Sequence, residues 1–220
     1  MKKIPTLFER VFENHKVVGI TDKVTPGMEW VLKGEGVATV KIDGACCAII
    51  GGELYKRYDA KKGKQPPADA IPCCEPDSVT GHWPHWVPVK ADDPADKWFN
   101  AAWQDAADEV YGSQWFNPLT LADGTYEAVG PHFQGNPENL SYDTLIAHGI
   151  FRRPDVVRTF EGIRDYLESH GIEGLVFWKD GEPQCKIKRS DFGFPWPVKR
   201  VGGPDYGPVC SVPTAEEDKE

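Results

Sequence analysis

Short runs of apolar and β-branched residues, separated by glycine-containing turns, recur along the chain. Such runs predict β-strands, because these side chains pack well on a pleated sheet. The predicted strands cover residues 28–33, 36–42, 45–50, 53–58 and 124–129. Two further runs flank Asp180-Gly181, a strong type I′ turn signal, and predict a β-hairpin over residues 172–189.

The register of this hairpin follows from the length of its loop. With a two-residue loop, Glu173 lies opposite Lys188 and Leu175 lies opposite Lys186. That register is conditional, because Pro183 cannot donate a ladder hydrogen bond and can perturb the pairing.

Three segments have the spacing of amphipathic helices. Residues 5–14 combine a Thr6–Glu9 capping box with a shared apolar face, and residues 95–111 and 155–169 repeat apolar positions at helical spacing. Helices and short strands do not alternate regularly, which favours an α+β fold with antiparallel sheets over a parallel βαβ arrangement.

Residues 64–94 are rich in Pro, Cys, His and Trp without periodicity, and we interpret them as a long ordered loop or insertion. Its cysteines and histidines are candidate zinc ligands, but their irregular spacing favours a loop packed on its tryptophans. Trp83 and Trp86 either stack on RNA bases or pin the loop to the body, and we favour the second. The candidate zinc ligands are Cys73, Cys74, His82 and His85.

The charge is acidic, with 34 Asp and Glu against 25 Lys and Arg and a formal net charge of −9. This balance argues against broad coating of nucleic acid. Positive charge is nevertheless concentrated in residues 55–64 and 186–200, each with five basic residues against one acidic residue. Such local fields can hold phosphates at one site of an acidic molecule.

The chain termini, the apolar runs and the cysteines indicate in which cellular compartment the protein is expected. The chain has no apolar run of membrane-spanning length and no signal-peptide pattern, so we expect a cytoplasmic protein without a membrane partner. The six cysteines are then expected to be reduced thiols. Residues 209–220 are acidic and predict a disordered tail.

Charged residues recur at the ends of the predicted strands. Because residues i and i+2 of a strand face the same side, Lys41 and Asp43 can share one cavity, and Lys186 and Lys188 form another pair. Such cations hold phosphates, and carboxylates hold the accompanying divalent ion. The ordered set is Lys41-Ile42-Asp43-Gly44, Tyr55-Lys56-Arg57, Tyr126-Glu127, Glu173-Gly174-Leu175-Val176 and Lys186-Ile187-Lys188.

In these motifs the chain resembles the covalent nucleotidyltransferases, which include ATP-dependent DNA and RNA ligases and mRNA capping enzymes. It is most similar to the small 5′-to-3′ RNA ligases found in vertebrates, microbes and viruses. The resemblance runs over about residues 35–197 and includes the stretches KIDGACC, GTYEAVGPHFQGNPE, EGLVFW and CKIKRSDFGFPWP. It implies one nucleotidyltransferase domain of antiparallel sheets flanked by helices over residues 1–208.

The resemblance also implies an activity and its participants. The enzyme would use ATP with Mg²⁺ or Mn²⁺ to join 5′-phosphate and 3′-hydroxyl RNA ends through lysyl-AMP and an adenylated 5′ end. Lys41 would be the nucleophile, and Asp43 would orient the site around it. Lys186 and Lys188 would stabilise the transferred phosphoryl group.

The remaining implied roles concern the nucleotide and the metal ion. Arg57 would hold ribose or phosphate, Glu127 would bind ribose or the metal, and Glu173 would serve the metal and Lys41. An aromatic residue after the third motif stacks on adenine in this family. Phe133 is the candidate, and His132 could replace it.

The chain departs from many relatives in one respect. Only 32 residues follow Lys188, too few for an OB domain, which disfavours a capping enzyme or a typical DNA ligase. Two alternatives stay open, an adenylyltransferase or ligase that acts on DNA ends and a non-catalytic nucleotide- or RNA-binding module.

Overall fold

The computed structural model describes residues 3–78, 80–112, 121–198 and 204–216. Its strands pair antiparallel in sheets accompanied by few helices, which confirms the predicted α+β class. The elements in chain order are β1 Phe8–Glu13, β2 Lys16–Val24, β3 Val37–Lys41, β4 Ala45–Ile50, β5 Glu53–Ala60, β6 Ile71–Pro72, β7 Trp83–Pro88, α1 Lys97–Gly112, β8 Gly124–Val129, β9 Thr144–Ala147, α2 Phe160–Ser169, β10 Gly174–Lys179 and β11 Glu182–Lys188.

The chain divides into two compact units. The central unit contains Asp43–Ala147, and the discontinuous unit contains Ile4–Ile42 and the chain from His148 onwards. Sequence reasoning predicted one domain over residues 1–208 and did not anticipate this division.

The central unit is built on a six-stranded antiparallel sheet in the order β6-β7-β5-β4-β8-β9. Alternation along β4 and β5 buries side chains such as Cys47, Ile49 and Leu54. The carboxylate of Asp123 accepts hydrogen bonds from two backbone N–H groups of the β4–β5 turn and so fixes this hairpin.

The discontinuous unit contains a three-stranded sheet in the order β11-β10-β3 and the β1–β2 hairpin. Leu175 and Ile187 on the sheet and Ile163 and Leu167 on α2 are fully buried. The segment before β1 pairs with β11 through a parallel bridge between Thr6 and Lys186. The three-stranded sheet is therefore extended at the β11 edge.

Three predicted elements of the discontinuous unit are wrong in type or extent. Residues 5–14 are not a helix, because Phe8–Glu13 pairs with β2 through a turn at Asn14 and His15, both with positive φ. Residues 28–33 form successive turns rather than a strand. Helix α2 begins at Phe160 rather than at residue 155, because Thr159 caps it by accepting the Gly162 N–H.

The segment 64–94, which we interpreted as a long ordered loop or insertion, supplies two strands, β6 and β7, to the central sheet. His85 is 1 % exposed, and its Nδ1 donates a hydrogen bond to the Trp83 carbonyl oxygen 2.8 Å away. Among the described residues, no three of the predicted zinc ligands bring their ligand atoms together. Trp86 is buried and the Trp83 indole donates to the Cys74 carbonyl, as the pinning interpretation requires.

The described part of the C-terminal segment makes hydrogen bonds within the discontinuous unit. The Cys210 N–H donates to the Ile150 carbonyl at 2.8 Å, and Arg152 donates to the Ser211 carbonyl. Disorder of the tail over residues 209–220 stays a prediction, and residues 217–220 lie outside the described residues. The six cysteines are free, as expected for reduced thiols. Within the described ranges, no helix combines the length and apolar character needed to cross a membrane.

Candidate functional site

A buried carboxylate joins two lysines in the discontinuous unit. Glu173 is 3 % exposed, and its Oε2 lies 2.5 Å from the Lys41 ammonium. Its Oε1 accepts a hydrogen bond from the Lys188 ammonium. The structure therefore brings together three residues that sequence reasoning had selected from three separate motifs.

A third lysine lies on the same face of this sheet. Lys186 is two residues from Lys188 on β11. Ile187, between the two lysines, and Cys185, just before Lys186, are fully buried on the other face. Burial, together with the charges of Lys41 and Lys188, lowers the pKa of Lys186 to about 8. In the part of the chain that the structure describes, no carboxylate lies within ion-pairing distance of its ammonium. The Lys186 ammonium is therefore suited to bind the anionic group of a ligand.

Strand register explains how distant residues meet. Gly174 pairs with Lys41 on one side and with Lys188 on the other, so the two lysines occupy one row across β3, β10 and β11. A Cβ at Gly174 would collide with the Ile187 carbonyl oxygen. Glycine between the two lysines therefore lets the strands approach closely enough for both ammonium groups to reach Glu173.

The predicted hairpin register is off by one residue. The loop has two residues as predicted, because Lys179 pairs with Glu182, but the pairing shifts between Trp178 and Phe177. This irregularity lies beside Pro183, where the missing N–H interrupts the ladder. As a result Lys188 lies opposite Gly174 instead of Glu173, although the Glu173 carboxylate still reaches the Lys188 ammonium.

Arg10 and Asp191 were not selected from the sequence. The Asp191 Oδ1 accepts hydrogen bonds from Arg10 Nε at 3.2 Å and Nη2 at 2.9 Å, and its Oδ2 accepts the Lys188 backbone N–H at 2.9 Å. Asp191 therefore ties β1 to the end of the strand that carries Lys186 and Lys188. An acidic residue three positions after the second lysine, at capping-box spacing, was the available signal.

The central unit aligns three other residues in one row of its sheet. Cys46 on β4 pairs with Glu127 on β8, and Cys47 pairs with Lys56, which places Arg57 beside Cys46 on β5. Burial, with a contribution from the Glu127 charge, raises the pKa of the Cys46 thiol to about 12. The thiol is therefore protonated at neutral pH and is not a nucleophile.

The Glu127 side chain contacts the backbone of Gly44 within the central unit. The Glu127 carboxylate is buried and accepts the Gly44 N–H at 3.3 Å. A Cβ at Gly44 would collide with the Ala128 carbonyl oxygen, so glycine is required where this loop meets β8. Arg57 Nε donates a hydrogen bond to the Asp59 carboxylate at 2.8 Å.

Asp43 does not share a strand with Lys41, because β3 ends at Lys41. The same-face argument for this pair therefore does not hold, and the Asp43 backbone N–H donates to Glu138 at 2.9 Å. The partly exposed Lys56 ammonium forms an ion pair with the buried carboxylate of Asp96.

Phe133 has the packing of a core residue. It is 5 % exposed and meets the Phe99 ring edge-to-face at 5.2 Å. The neighbouring His132 is more accessible, donates from Nδ1 to Asp143 at 2.6 Å, and stacks on Trp98. Between the two predicted adenine-stacking candidates, exposure favours His132.

Comparisons with known proteins add no identification. No family model matches the chain, and the search of curated proteins finds no significant match.

Proposed function

We propose that the protein is an ATP-dependent RNA ligase of the covalent nucleotidyltransferase type, which joins 5′-phosphate and 3′-hydroxyl ends. The observation that carries this proposal is the Glu173 carboxylate held between the ammonium groups of Lys41 and Lys188, with Lys186 on the same face. These are the residues to which the sequence resemblance assigns the chemistry.

The geometry suits lysine as the nucleophile. In the first step the Lys41 amine attacks the α-phosphorus of ATP, so that an N–P bond forms, the bond to the β-phosphate oxygen breaks and pyrophosphate leaves. The lysine must first lose a proton, and Glu173 Oε2, 2.5 Å away, is placed to accept it. Lys41 becomes neutral on adenylation, which frees Glu173 from this ion pair.

The neighbouring lysines can stabilise the negative charge that develops on a phosphate during the reaction. Lys186 and Lys188 would stabilise the transferred phosphoryl group in this step and in transfer of AMP to the 5′-phosphate. In the last step the 3′-hydroxyl oxygen attacks the activated 5′-phosphorus, a new phosphodiester bond forms and AMP leaves. Arg57 on β5 is the proposed ribose or phosphate ligand, because the sequence resemblance assigns this role to the motif that contains it.

A divalent ion would neutralise phosphate charge in these steps. Glu173 and Glu127 offer the hard oxygen donors that Mg²⁺ and Mn²⁺ prefer, so the donor chemistry fits. In the described arrangement both Glu173 oxygens contact ammonium groups, which makes ion pairing with Lys41 and Lys188 its primary role.

A sealing assay tests this proposal. RNA with 5′-phosphate and 3′-hydroxyl ends is incubated with ATP and Mg²⁺ or Mn²⁺, and we expect sealing by the wild type and by Lys179→Arg but not by Lys41→Arg. Lys179 is the matched control, because it also pairs with a glutamate, Glu35, at 2.6 Å in the same unit. Preferential sealing of nicked DNA would contradict the RNA assignment, and ATP binding without sealing would favour a non-catalytic module.

A further inference from the structure

The β1–β2 hairpin begins beside the lysine cluster, which consists of Lys41, Lys186 and Lys188. The Leu7 N–H donates to the Lys186 carbonyl at 2.8 Å, and the Lys186 N–H donates to the Pro5 carbonyl at 3.0 Å. On the returning side, the Thr25 N–H donates to the Leu7 carbonyl at 2.8 Å. Both ends of the hairpin are thus fastened next to one of the proposed phosphate-binding residues.

Alternate residues of β1 change character with distance from this base. Phe8, fully buried, packs edge-to-face on Phe160 with a centroid distance of 5.0 Å. Arg10, two residues further along β1, pairs with Asp191, which also accepts the Lys188 backbone N–H. Phe12 follows two residues later, just after a register shift between β1 and β2, and is 62 % exposed. An aromatic ring therefore lies open to solvent on the strand that Arg10 joins to Asp191, next to Lys188.

The surroundings of Phe12 favour a base-stacking role over an electrostatic one. Its cross-strand partner Val17 is also exposed, so the two side chains form an open apolar platform. The hairpin itself has no net charge, because Arg10, Lys16 and Lys23 balance Glu9, Glu13 and Asp22. Phosphate attraction would come from the cluster at the base, and the platform would contribute a π-face.

We propose that the β1–β2 hairpin is a strand-binding arm and that Phe12 stacks on a nucleobase of single-stranded RNA whose terminal phosphate is held by Lys186 and Lys188. This inference rests on the proposed function and extends it to recognition of the strand behind the reacting end. Phe12 lies six positions after Thr6, and at about 3.3 Å for each residue this is a path of roughly 20 Å. That length corresponds to roughly six stacked nucleotides.

Binding of a labelled single-stranded RNA with a 5′-phosphate, followed by fluorescence anisotropy without ATP, tests the arm. We expect Phe12→Ala to weaken binding by about tenfold and Phe12→Trp to preserve it, because stacking requires only an aromatic face. The matched control is Val11→Ala, since Val11 is the adjacent exposed apolar residue of the same strand and is not aromatic. We expect this control to change affinity by less than about twofold.

A scan with abasic nucleotides locates the contact. We expect wild-type protein to lose affinity at one position within roughly the first eight nucleotides, and Phe12→Ala to show no further loss there. Equal affinities for Phe12→Ala and Val11→Ala would overturn the proposal. It would also be overturned if Phe12→Ala dissociated a dimer in sedimentation without changing RNA affinity, because the platform would then be an interface between copies.

The same preparations separate this inference from the proposed function. If wild-type protein acquires no label from α-labelled ATP while Phe12→Ala still weakens RNA binding tenfold, the ligase proposal fails and the arm stands. If wild-type protein is labelled and the RNA affinity does not depend on Phe12, only the arm fails.

Discussion

Lys41 and Glu173 lie 132 residues apart in the sequence, and their ammonium and carboxylate groups are 2.5 Å apart in the structure. The pairing of β3 with β10 produces this contact by placing Lys41 opposite Gly174. The contact joins the proposed nucleophile to the group that would take its proton, and the lysines around it would meet the phosphates of ATP.

Replacement of Glu173 by glutamine should remove the proton acceptor while preserving shape. We expect Glu173→Gln to slow self-adenylation by about 10²-fold, the usual order for loss of a general base. The rate is measured as incorporation of α-labelled AMP over time. The control is Glu35→Gln, because Glu35 pairs with Lys179 at the surface. A comparable slowing in both variants would contradict a specific role for Glu173.

Loss of either β11 lysine should remove one charge-assisted contact with phosphate. We expect Lys186→Ala and Lys188→Ala each to slow self-adenylation more than tenfold, as follows from a loss of about 1.5–3 kcal/mol. Single-turnover labelling at saturating ATP checks the rates, and Lys179→Ala is the control. If both variants reacted at the wild-type rate, the phosphate-binding roles assigned to them would be incorrect.

The pKa of Lys186 predicts proton uptake on ATP binding. This pKa is lowered to about 8, chiefly by burial and by the positive charges of Lys41 and Lys188, with a smaller opposite effect of Glu173. An anion favours the charged amine and raises the pKa again, so binding between about pH 8 and pH 9 should take up protons. Below about pH 7 the amine is already charged, and the uptake by this group should vanish.

Calorimetric titration of ATP in buffers with different ionisation enthalpies measures this uptake. We expect the uptake at pH 8.5 to decrease in Lys186→Met. An uptake unchanged by that substitution would show that Lys186 is not the group that titrates on binding.

Asp191 should stabilise the fold as well as position the site. Asp191→Ala leaves the buried Lys188 N–H without its partner and releases Arg10, so we expect a loss of about 2 kcal/mol in the free energy of unfolding. Chemical denaturation measures this loss. Asp165→Ala is the control, because Asp165 forms an exposed pair with Arg164 and should matter by less than about 1 kcal/mol. Equal losses would contradict the positioning role.

The hairpin and the lysine pair could be predicted because their determinants are local. Asp180-Gly181 encodes the turn, and alternation places Lys186 and Lys188 on one face and Ile187 on the other. The register was wrong by one residue, because the pairing shift beside Pro183 depends on how the strand fits its neighbours.

The N-terminal segment shows where local signals mislead. The spacing of Thr6 and Glu9 is compatible with a helix cap, yet residues 8–13 form a strand, since pairing with β2 satisfies the backbone and buries Phe8. The contact between Arg10 and Asp191 joins residues 181 positions apart and follows only from this tertiary arrangement. Phe133 was selected for its position after a motif, but its packing on Phe99 is set by where α1 lies.

The central claim is that Lys41 becomes covalently attached to AMP. The most direct measurement is peptide mass spectrometry of the protein after incubation with ATP and Mg²⁺ or Mn²⁺, with Lys41→Arg as the comparison because it keeps the charge but cannot act as the nucleophile. We predict one AMP adduct, on the peptide that contains Lys41 in the wild type, and no adduct in Lys41→Arg. An unmodified wild-type protein with either ion, or an adduct that persists in Lys41→Arg, would contradict the account.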